Sequence, residues 1–304
     1  MDSYSRPAKE AEGESTNGTP NWLKLPRELT TNILQRLSVE EILMSASQVC
    51  SLWWSIYKDP LMWRTIDMIP HAYHSISKLV MICRNAVERS CGHLKEISIE
   101  RFASDDLLKY IADSDSASQL RSLRLPHCSA ISDVGLKEAV KKLPMLEEID
   151  ISFTNLSKDS LEAIGLCCPM LKTLKYNTVR DIFAYDEVAY SIAKTMPELC
   201  HLEISRIKIS NKGLVAILDG CPQLEYLDLK SCLGLDLSGS LRKRLCEQVK
   251  EIRLPFALEY YNSDDSYDIG LEFDANADWE SEEDRISQFI EFFTVRFDWS
   301  TGNI

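Results

Sequence analysis

The sequence lacks the short motifs that carry bond-making chemistry in many enzymes. It has no G-x-S-x-G turn, no glycine-rich phosphate loop, no H-E-x-x-H pair and, among 10 cysteines, no C-x-x-C. His127 and Cys128 adjoin each other, but neighbours on an extended segment point to different sides, which does not suit a catalytic Cys–His pair. We therefore expect no enzymatic activity, no metal site and no cofactor.

Long apolar runs are also missing. Residues 1–20 are polar, so we expect no signal peptide and predict that the ten thiols stay reduced in the nucleus or cytoplasm. The longest uncharged window of note, 42–57, has 16 residues and contains four serines and a glutamine. That window is too short and too polar to cross a bilayer, so we expect no membrane partner.

Positive charge is scarce, with 34 Lys and Arg against 47 Asp and Glu and a formal net charge of −13. This balance argues against nucleic acid as a partner. The stretch 259–284 holds 11 of the acidic residues and no Lys or Arg, so the rest of the chain is nearly neutral. We predict a solvated, mobile segment there, with docking of a basic partner as the alternative.

What the sequence has in quantity is a leucine repeat. The unit L-x-x-L-x-L, with occasional Ile, Val or Tyr, occurs seven times at intervals of 25 to 28 residues. This period is typical of leucine-rich repeats, in which a short strand is followed by a helix. We predict an α/β fold: a short right-handed solenoid with parallel strands on its concave face and helices on its convex face. Its repeats begin at Leu94, Leu120, Leu146, Leu171, Leu199, Leu224 and Val249.

The residues between the repeat leucines are predicted to project from the concave face of the sheet. Solenoids bind their partners on that concavity, so we predict a target-binding surface there. The alternative is a face that only keeps the protein soluble. The residues predicted to contact a target are Arg124, Asp150, Lys175, His201, Glu203, Tyr226, Asp228 and Arg253.

Two groups of cysteines have fixed places in the repeats. Cys128 and Cys232 lie eight residues after the first leucine of their repeats, where this repeat class uses Asn or Cys to satisfy backbone groups at a bend. Cys168 and Cys221 each precede a helix-ending proline. We predict that all four are small buried side chains without reactivity.

Residues 21–67 form a different kind of region, with apolar side chains at helical spacing in three bursts. Pro26 suits the first turn of a helix, and Ser38 with Glu41 forms a capping box that begins a second one. A third helix ends before Pro60. These short helices carry more apolar surface than they can bury alone, which predicts a partner. One stripe of the first helix is Leu29, Ile33 and Leu37.

This region resembles an F-box. The pattern consists of Leu25-Pro26-x-Glu28-Leu29, Ile33-Leu34-x-x-Leu37, Val49-Cys50-x-x-Trp53 and Asp59-Pro60-x-x-Trp63-Arg64. Together with the repeats, residues 21–258 resemble plant F-box proteins with C-terminal leucine-rich repeats, of the Skp-interacting-partner type. The adaptor-binding residues that this resemblance implies are Leu25, Pro26, Leu29, Ile33, Leu37, Val49, Cys50, Trp53 and Trp63.

The resemblance implies a substrate receptor of an SCF-type cullin–RING ubiquitin ligase. The F-box would bind the Skp adaptor, and the repeats would bind a target protein for ubiquitination and proteasomal degradation. The alternative is a repeat scaffold or inhibitor outside any ligase, in which the three helices are only an N-terminal cap. Exposure of the F-box apolar residues in the isolated protein discriminates between the two.

The sequence predicts six segments along the chain. A helix in 68–92 is predicted to link the F-box to the repeats and to cover their open end. The tail is rich in aromatic residues, and we predict that it folds back as a cap over the last repeat. The segments are a disordered leader at 1–20, the F-box at 21–67, the linker helix at 68–92, six to seven repeats at 93–258, the acidic segment at 259–284 and the aromatic tail at 285–304.

Overall fold

The computed structural model describes residues 25–70, 75–177, 186–237 and 239–255. These residues belong to one compact unit. The predicted leader, acidic segment and aromatic tail lie outside the described residues, and the predictions about them stay predictions.

Three α-helices form the N-terminal region. The predicted capping box is confirmed: the Glu41 N–H donates to the Ser38 hydroxyl (3.2 Å), and the Ser38 N–H donates to the Glu41 carboxylate (2.9 Å). Pro26 lies at the N-cap position, one residue earlier than predicted, and its missing N–H is harmless there too. The helices are α1 Arg27–Leu34, α2 Val39–Met44 and α3 Ser51–Tyr57, followed by a short 3-10 helix at Pro60–Trp63.

In the described part of the chain, eight parallel strands form one sheet in chain order. The sequence predicted seven of them. The additional strand, β1, begins two residues after Trp63 and pairs Thr65 with Glu96 and Met68 with Ile99, so the F-box runs directly into the sheet. The strands are β1 Thr65–Met68, β2 Glu96–Ile99, β3 Ser122–Arg124, β4 Glu148–Asp150, β5 Thr173–Asn177, β6 His201–Ser205, β7 Tyr226–Asp228 and β8 Glu251–Arg253.

In the described residues, one α-helix lies between each strand and the next. The predicted linker helix is α4, which lies between β1 and β2 and therefore belongs to the first repeat; it also contacts α2. Among the described residues, no helix combines the length and apolarity that a membrane span requires. The connecting helices are α4 Ile76–Arg89, α5 Asp105–Ala112, α6 Asp133–Val140, α7 Lys158–Cys167, α8 Glu187–Thr195, α9 Asn211–Gly220 and α10 Ser240–Gln248.

The repeat leucines and isoleucines form a continuous buried row between sheet and helices. Strand register brings the central apolar residue of each repeat next to that of its neighbour, and all of them are 0 to 1% exposed from β2 to β7. Because each repeat buries its apolar face only against its neighbours, the row holds the solenoid together. Its members are Ile97, Leu123, Ile149, Leu174, Leu202 and Leu227.

A second row of contacts joins successive helices at their N-termini. The Asp105 carboxylate, at the start of α5, accepts hydrogen bonds from the N–H (2.8 Å) and hydroxyl (2.7 Å) of Ser132, which caps α6. Asp186 receives the same pair of bonds from Ser210, the cap of α9. A Cβ on Gly135 would overlap the Asp105 carboxylate, so this close approach requires glycine.

Candidate interaction surfaces

Two rows of side chains cross the sheet on the face away from the helices, which we call the open face. All eight residues predicted to contact a target lie in these rows, and each is at least partly exposed. The first row is Thr65, Glu96, Ser122, Glu148, Thr173, His201, Tyr226 and Glu251, and the second is Asp67, Ser98, Arg124, Asp150, Lys175, Glu203, Asp228 and Arg253.

Ion pairs across the strands order the middle of the open face. Arg124 donates two hydrogen bonds to the Glu148 carboxylate, from Nε (2.9 Å) and Nη2 (3.2 Å), and Ser122 donates a third (3.0 Å). Burial alone raises the pKa of Glu148, but the hydrogen bonds from Arg124 and Ser122 outweigh it and hold that pKa below its usual range. Glu148 is therefore a charged acceptor at neutral pH.

Glu203 has an equivalent arrangement with other partners. Lys175 Nζ lies 2.8 Å from Glu203 Oε1, and His201 Nε2 lies 2.8 Å from the same oxygen. Burial again raises the pKa of Glu203, but the hydrogen bonds with Lys175 and His201 outweigh burial. The pKa of Glu203 is therefore lowered. Both carboxylates therefore stay ionised in their ion pairs.

A stack of rings lies at the C-terminal end of the open face. The rings of His201 and Tyr226 are parallel within 2°, with centroids 3.9 Å apart, and the Arg253 guanidinium carbon lies 5.4 Å from the Tyr226 centroid. Burial raises the pKa of the Tyr226 hydroxyl. These side chains, with Glu203 and Glu251 among others, line a shallow depression of about 620 Å³. A planar aromatic group beside charged neighbours is a common anchor in protein interfaces.

The F-box helices carry the second surface. Among the residues predicted to bind the adaptor, Pro26 is exposed, and Leu29 and Val49 are 51% and 58% exposed. Five more are half-buried: Leu25, Ile33, Leu37, Cys50 and Trp53. Three further apolar side chains of this region are exposed and are not among the predicted adaptor-binding residues: Met44, Trp54 and Leu61.

The structure corrects the prediction for Trp63. Its side chain is 1% exposed, and its indole N–H donates to the Tyr57 carbonyl oxygen at 2.9 Å. The ring also meets the Tyr57 ring edge-on at 5.8 Å. Trp63 is therefore a core residue that joins α3 to the first strand, and it offers no surface to an adaptor.

Cation–π and aromatic contacts join the F-box to the first repeat. The Arg89 guanidinium carbon, at the end of α4, lies 4.1 Å from the centroid of the Tyr57 ring in α3. Within α3, the Trp54 ring stacks on the same Tyr57 ring, with centroids 5.1 Å apart. Because α3 and α4 lie in different modules of the sequence pattern, these contacts hold the two surfaces in one unit.

The four repeat cysteines are structural. Cys128 Sγ lies 3.2 Å from the Ile99 carbonyl oxygen, and Cys232 Sγ lies 3.3 Å from that of Ile204, which confirms the predicted role at the bends. Burial raises the pKa of Cys128 to about 11 and those of Cys168, Cys221 and Cys232 to about 12. These thiols are not thiolates at neutral pH. No group of metal-binding side chains was found in the ranges that the structure describes.

Comparison with known proteins agrees with this architecture. A family model described as F-box-like matches residues 22–69. F-box protein SKIP19 of Arabidopsis thaliana is 47% identical over 257 residues, which cover 83% of this chain and 82% of that protein. F-box/LRR-repeat protein 21 of the same plant is 41% identical over 254 residues, covering 77% of this chain and 82% of the relative. The chain therefore belongs to the family of F-box proteins with leucine-rich repeats.

Coverage differs among the relatives. F-box/LRR-repeat protein 23 of Arabidopsis thaliana is 43% identical over 271 residues, which are 84% of this chain but only 60% of that protein. Among solved structures, the complex of Rad7 and Elc1 in yeast has a TM-score of 0.47 at 14% identity, covering 76% of this chain and 64% of the other. A likeness this remote carries no argument about function.

Proposed function

We propose that this protein is the substrate-recognition subunit of an SCF-type cullin–RING ubiquitin ligase. The observation that carries the proposal is the exposure of large apolar side chains, Leu29 and Val49 foremost, on three helices that match the F-box-like family. These helices continue without a linker into a sheet whose open face is polar. One unit thus presents two surfaces of different chemistry, as a receptor that joins an adaptor to a target requires.

The apolar F-box side chains are the proposed binding surface for the Skp adaptor. Leu29 and Val49 keep more than half of their surface in water, and burying a side chain of this size fully is worth about 1.5–3 kcal/mol. A partner that covers them gains much of that free energy. Leu25, Ile33 and Trp53, half-buried beside them, would define the shape of the contact.

The open face is the proposed binding surface for the target. The receptor would act by proximity, because it holds the target near the conjugating enzyme that the other ligase subunits recruit. The bond chemistry would then belong to those subunits, and the ubiquitinated target would pass to the proteasome. We expect the protein to work in the nucleus or the cytoplasm.

The second candidate is a repeat scaffold or inhibitor in which the F-box helices only cap the solenoid. Burial of Trp63 and the packing of α2 on α4 fit a cap, since terminal repeats need their end covered. A cap alone, however, does not explain why exposed large apolar side chains are concentrated in the F-box helices, at Leu29, Met44, Val49, Trp54 and Leu61, when such residues are more scattered along the repeats. Their exposure favours the receptor.

The test is a calorimetric titration of the purified protein with a Skp adaptor. We expect tight binding by the natural protein and a loss of at least tenfold in a Pro26→Ala/Leu29→Ala variant, which removes apolar contact area. Leu166→Ala is the matched control, because Leu166 is an exposed leucine (70%) on α7, far along the chain from the F-box. Absence of binding by the natural protein would leave the scaffold as the better account.

A further inference from the structure

We propose that the open face binds a basic, polar segment of the target protein. This inference rests on the proposed receptor function and adds the chemical class of its target. Among the sixteen side chains of the two rows, seven are carboxylates and three are cations. The carboxylates are Asp67, Glu96, Glu148, Asp150, Glu203, Asp228 and Glu251, and the cations are Arg124, Lys175 and Arg253.

The cations of the open face are already occupied by its own carboxylates. Arg124 is bound to Glu148 by two hydrogen bonds, and Lys175 lies 2.8 Å from Glu203. Arg253 Nη1 lies 3.7 Å from Asp228 Oδ2, and Arg253 Nη2 lies 3.5 Å from Glu251 Oε1. An acidic or phosphorylated target would have to displace these carboxylates from their partners.

A cationic target can use the carboxylates that remain in excess of these pairs. The carboxylates outnumber the cations by four across the two rows, and Asp67, Glu96 and Glu251 are exposed. Excess charge of one sign on a binding surface favours partners of the opposite sign and speeds their association. Large apolar residues are absent from these rows apart from Tyr226, which argues against an apolar helix as the occupant.

The aromatic stack gives such a segment an anchor. Arg253 lies within cation–π distance of Tyr226, so the environment of this ring already accommodates a guanidinium group. The ring is partly exposed beside the depression that it lines with His201. A Lys or Arg side chain of the target would reach this depression beside Glu251, where it would compete with Arg253 for the ring and for that carboxylate.

A mainly basic row of residues borders the two acidic rows and favours one orientation of the bound segment. The residues just before the strands are Arg64, Lys95, Arg121, Glu147, Lys172, Cys200, Glu225 and Lys250, of which five are basic and two acidic. This basic border favours a segment that runs across the strands along the two acidic rows. Eight strands about 4.8 Å apart span roughly 34 Å, which about ten extended residues cover.

The experiment is a selection from a display library of random 12-residue peptides, using the full-length protein bound to a Skp adaptor. We expect enriched peptides to carry an excess of Lys and Arg and to lose affinity as NaCl rises from 50 to 300 mM. Retention of the adaptor in the same sample reports on the receptor function separately. Enrichment of acidic or apolar peptides, or no enrichment above the input library, would overturn the proposal.

Two variants with equal changes in net charge locate the binding site. Glu96→Gln/Glu251→Gln neutralises exposed carboxylates of the open face, and we expect it to weaken a selected basic peptide about five- to tenfold. Asp264→Asn/Asp265→Asn neutralises two carboxylates of the acidic stretch 259–284, and we expect less than a twofold change. An equal or larger loss in the second variant would assign the peptide to that stretch and contradict the proposal. Thermal melts confirm that both variants are folded.

Discussion

The F-box helices and the repeat sheet differ in how completely they bury their apolar side chains. In the sheet, alternation along each strand sends the leucines inward and polar residues outward, and the central apolar row is 0 to 1% exposed. In the F-box, helices of six to eight residues leave Leu29 and Val49 more than half exposed. A surface of this kind needs a partner to cover it. The charged open face is stable without one and is suited to selecting among partners.

The F-box depends on the first repeat for part of its packing. Helix α1 buries only Thr30 and Leu34, and the buried side chains of the F-box belong to the same hydrophobic cluster as those of the repeats. Trp63 and Ile66, at its junction with the sheet, are 0 to 1% exposed. The F-box therefore draws stability from the first repeat, and it covers the N-terminal end of that repeat in return.

The largest effect should come from breaking this junction. Trp63→Ala removes a buried indole and its hydrogen bond to Tyr57, and we expect a loss of about 3–5 kcal/mol in the free energy of unfolding. Adaptor affinity should fall as well, although Trp63 is buried. Urea unfolding measures the loss. Trp54→Ala is the control, because Trp54 is 44% exposed, and we expect about 1 kcal/mol or less. Equal losses in the two variants would contradict the assignment of Trp63 to the core.

The next largest effect tests the connection between repeats. Gly135→Ala places a Cβ against the Asp105 carboxylate and should displace its hydrogen bonds to Ser132, with a loss of about 1–3 kcal/mol. In an Asp105→Ala background the same change should be less destabilising, because the obstructing group is gone. A double-mutant cycle measures this coupling. Additive effects would show that the two residues do not meet.

A smaller effect concerns acid stability of the open face. The pKa values of Glu148 and Glu203 are lowered in the folded protein, so their contribution is complete above their unfolded pKa and is lost as pH falls through the folded one. For carboxylates with an ordinary pKa of 4.5, that window lies below about pH 4.5. Glu148→Gln/Glu203→Gln should flatten the pH dependence there, by about 1 kcal/mol at most. Chemical unfolding at pH 3 and pH 7 measures it; an unchanged dependence would rule out these ion pairs.

The smallest effects on stability are expected for exposed apolar residues. Those in the F-box and those on the repeats should differ instead in whether they contribute to adaptor binding. Val49 in the F-box and Val134 on α6 are 58% and 71% exposed. Each Val→Ser change should alter unfolding free energy by about 0.5 kcal/mol or less. Only Val49→Ser should weaken binding of the adaptor, by several-fold in the calorimetric titration. A similar loss with Val134→Ser would mean that the adaptor contacts the repeats instead.

The sheet was predictable because its pattern is dictated by burial. A shift of one residue in any strand would expose the leucine row, so the spacing of leucines determines both the strands and their register. The sequence did not predict strand β1, because Thr65-Ile66-Asp67-Met68 lacks the leading leucine of the repeat unit.

The F-box helices were predictable, whereas the exposure of their side chains was not. Proline, capping and apolar spacing predict where a helix lies, but in a small module the neighbouring helices decide which apolar face is covered. Trp63 and Trp54 illustrate this: the first is buried against Tyr57, and the second stacks on the same residue from the exposed side. Sequence alone treats both as equally apolar.

The measurement that tests this division of surfaces most directly is hydrogen exchange of the full-length protein with and without a Skp adaptor. We predict new protection in α1 to α3, with exchange unchanged in β3 to β8. Protection across those strands, with none in the three helices, would contradict it and would make the open face the adaptor site.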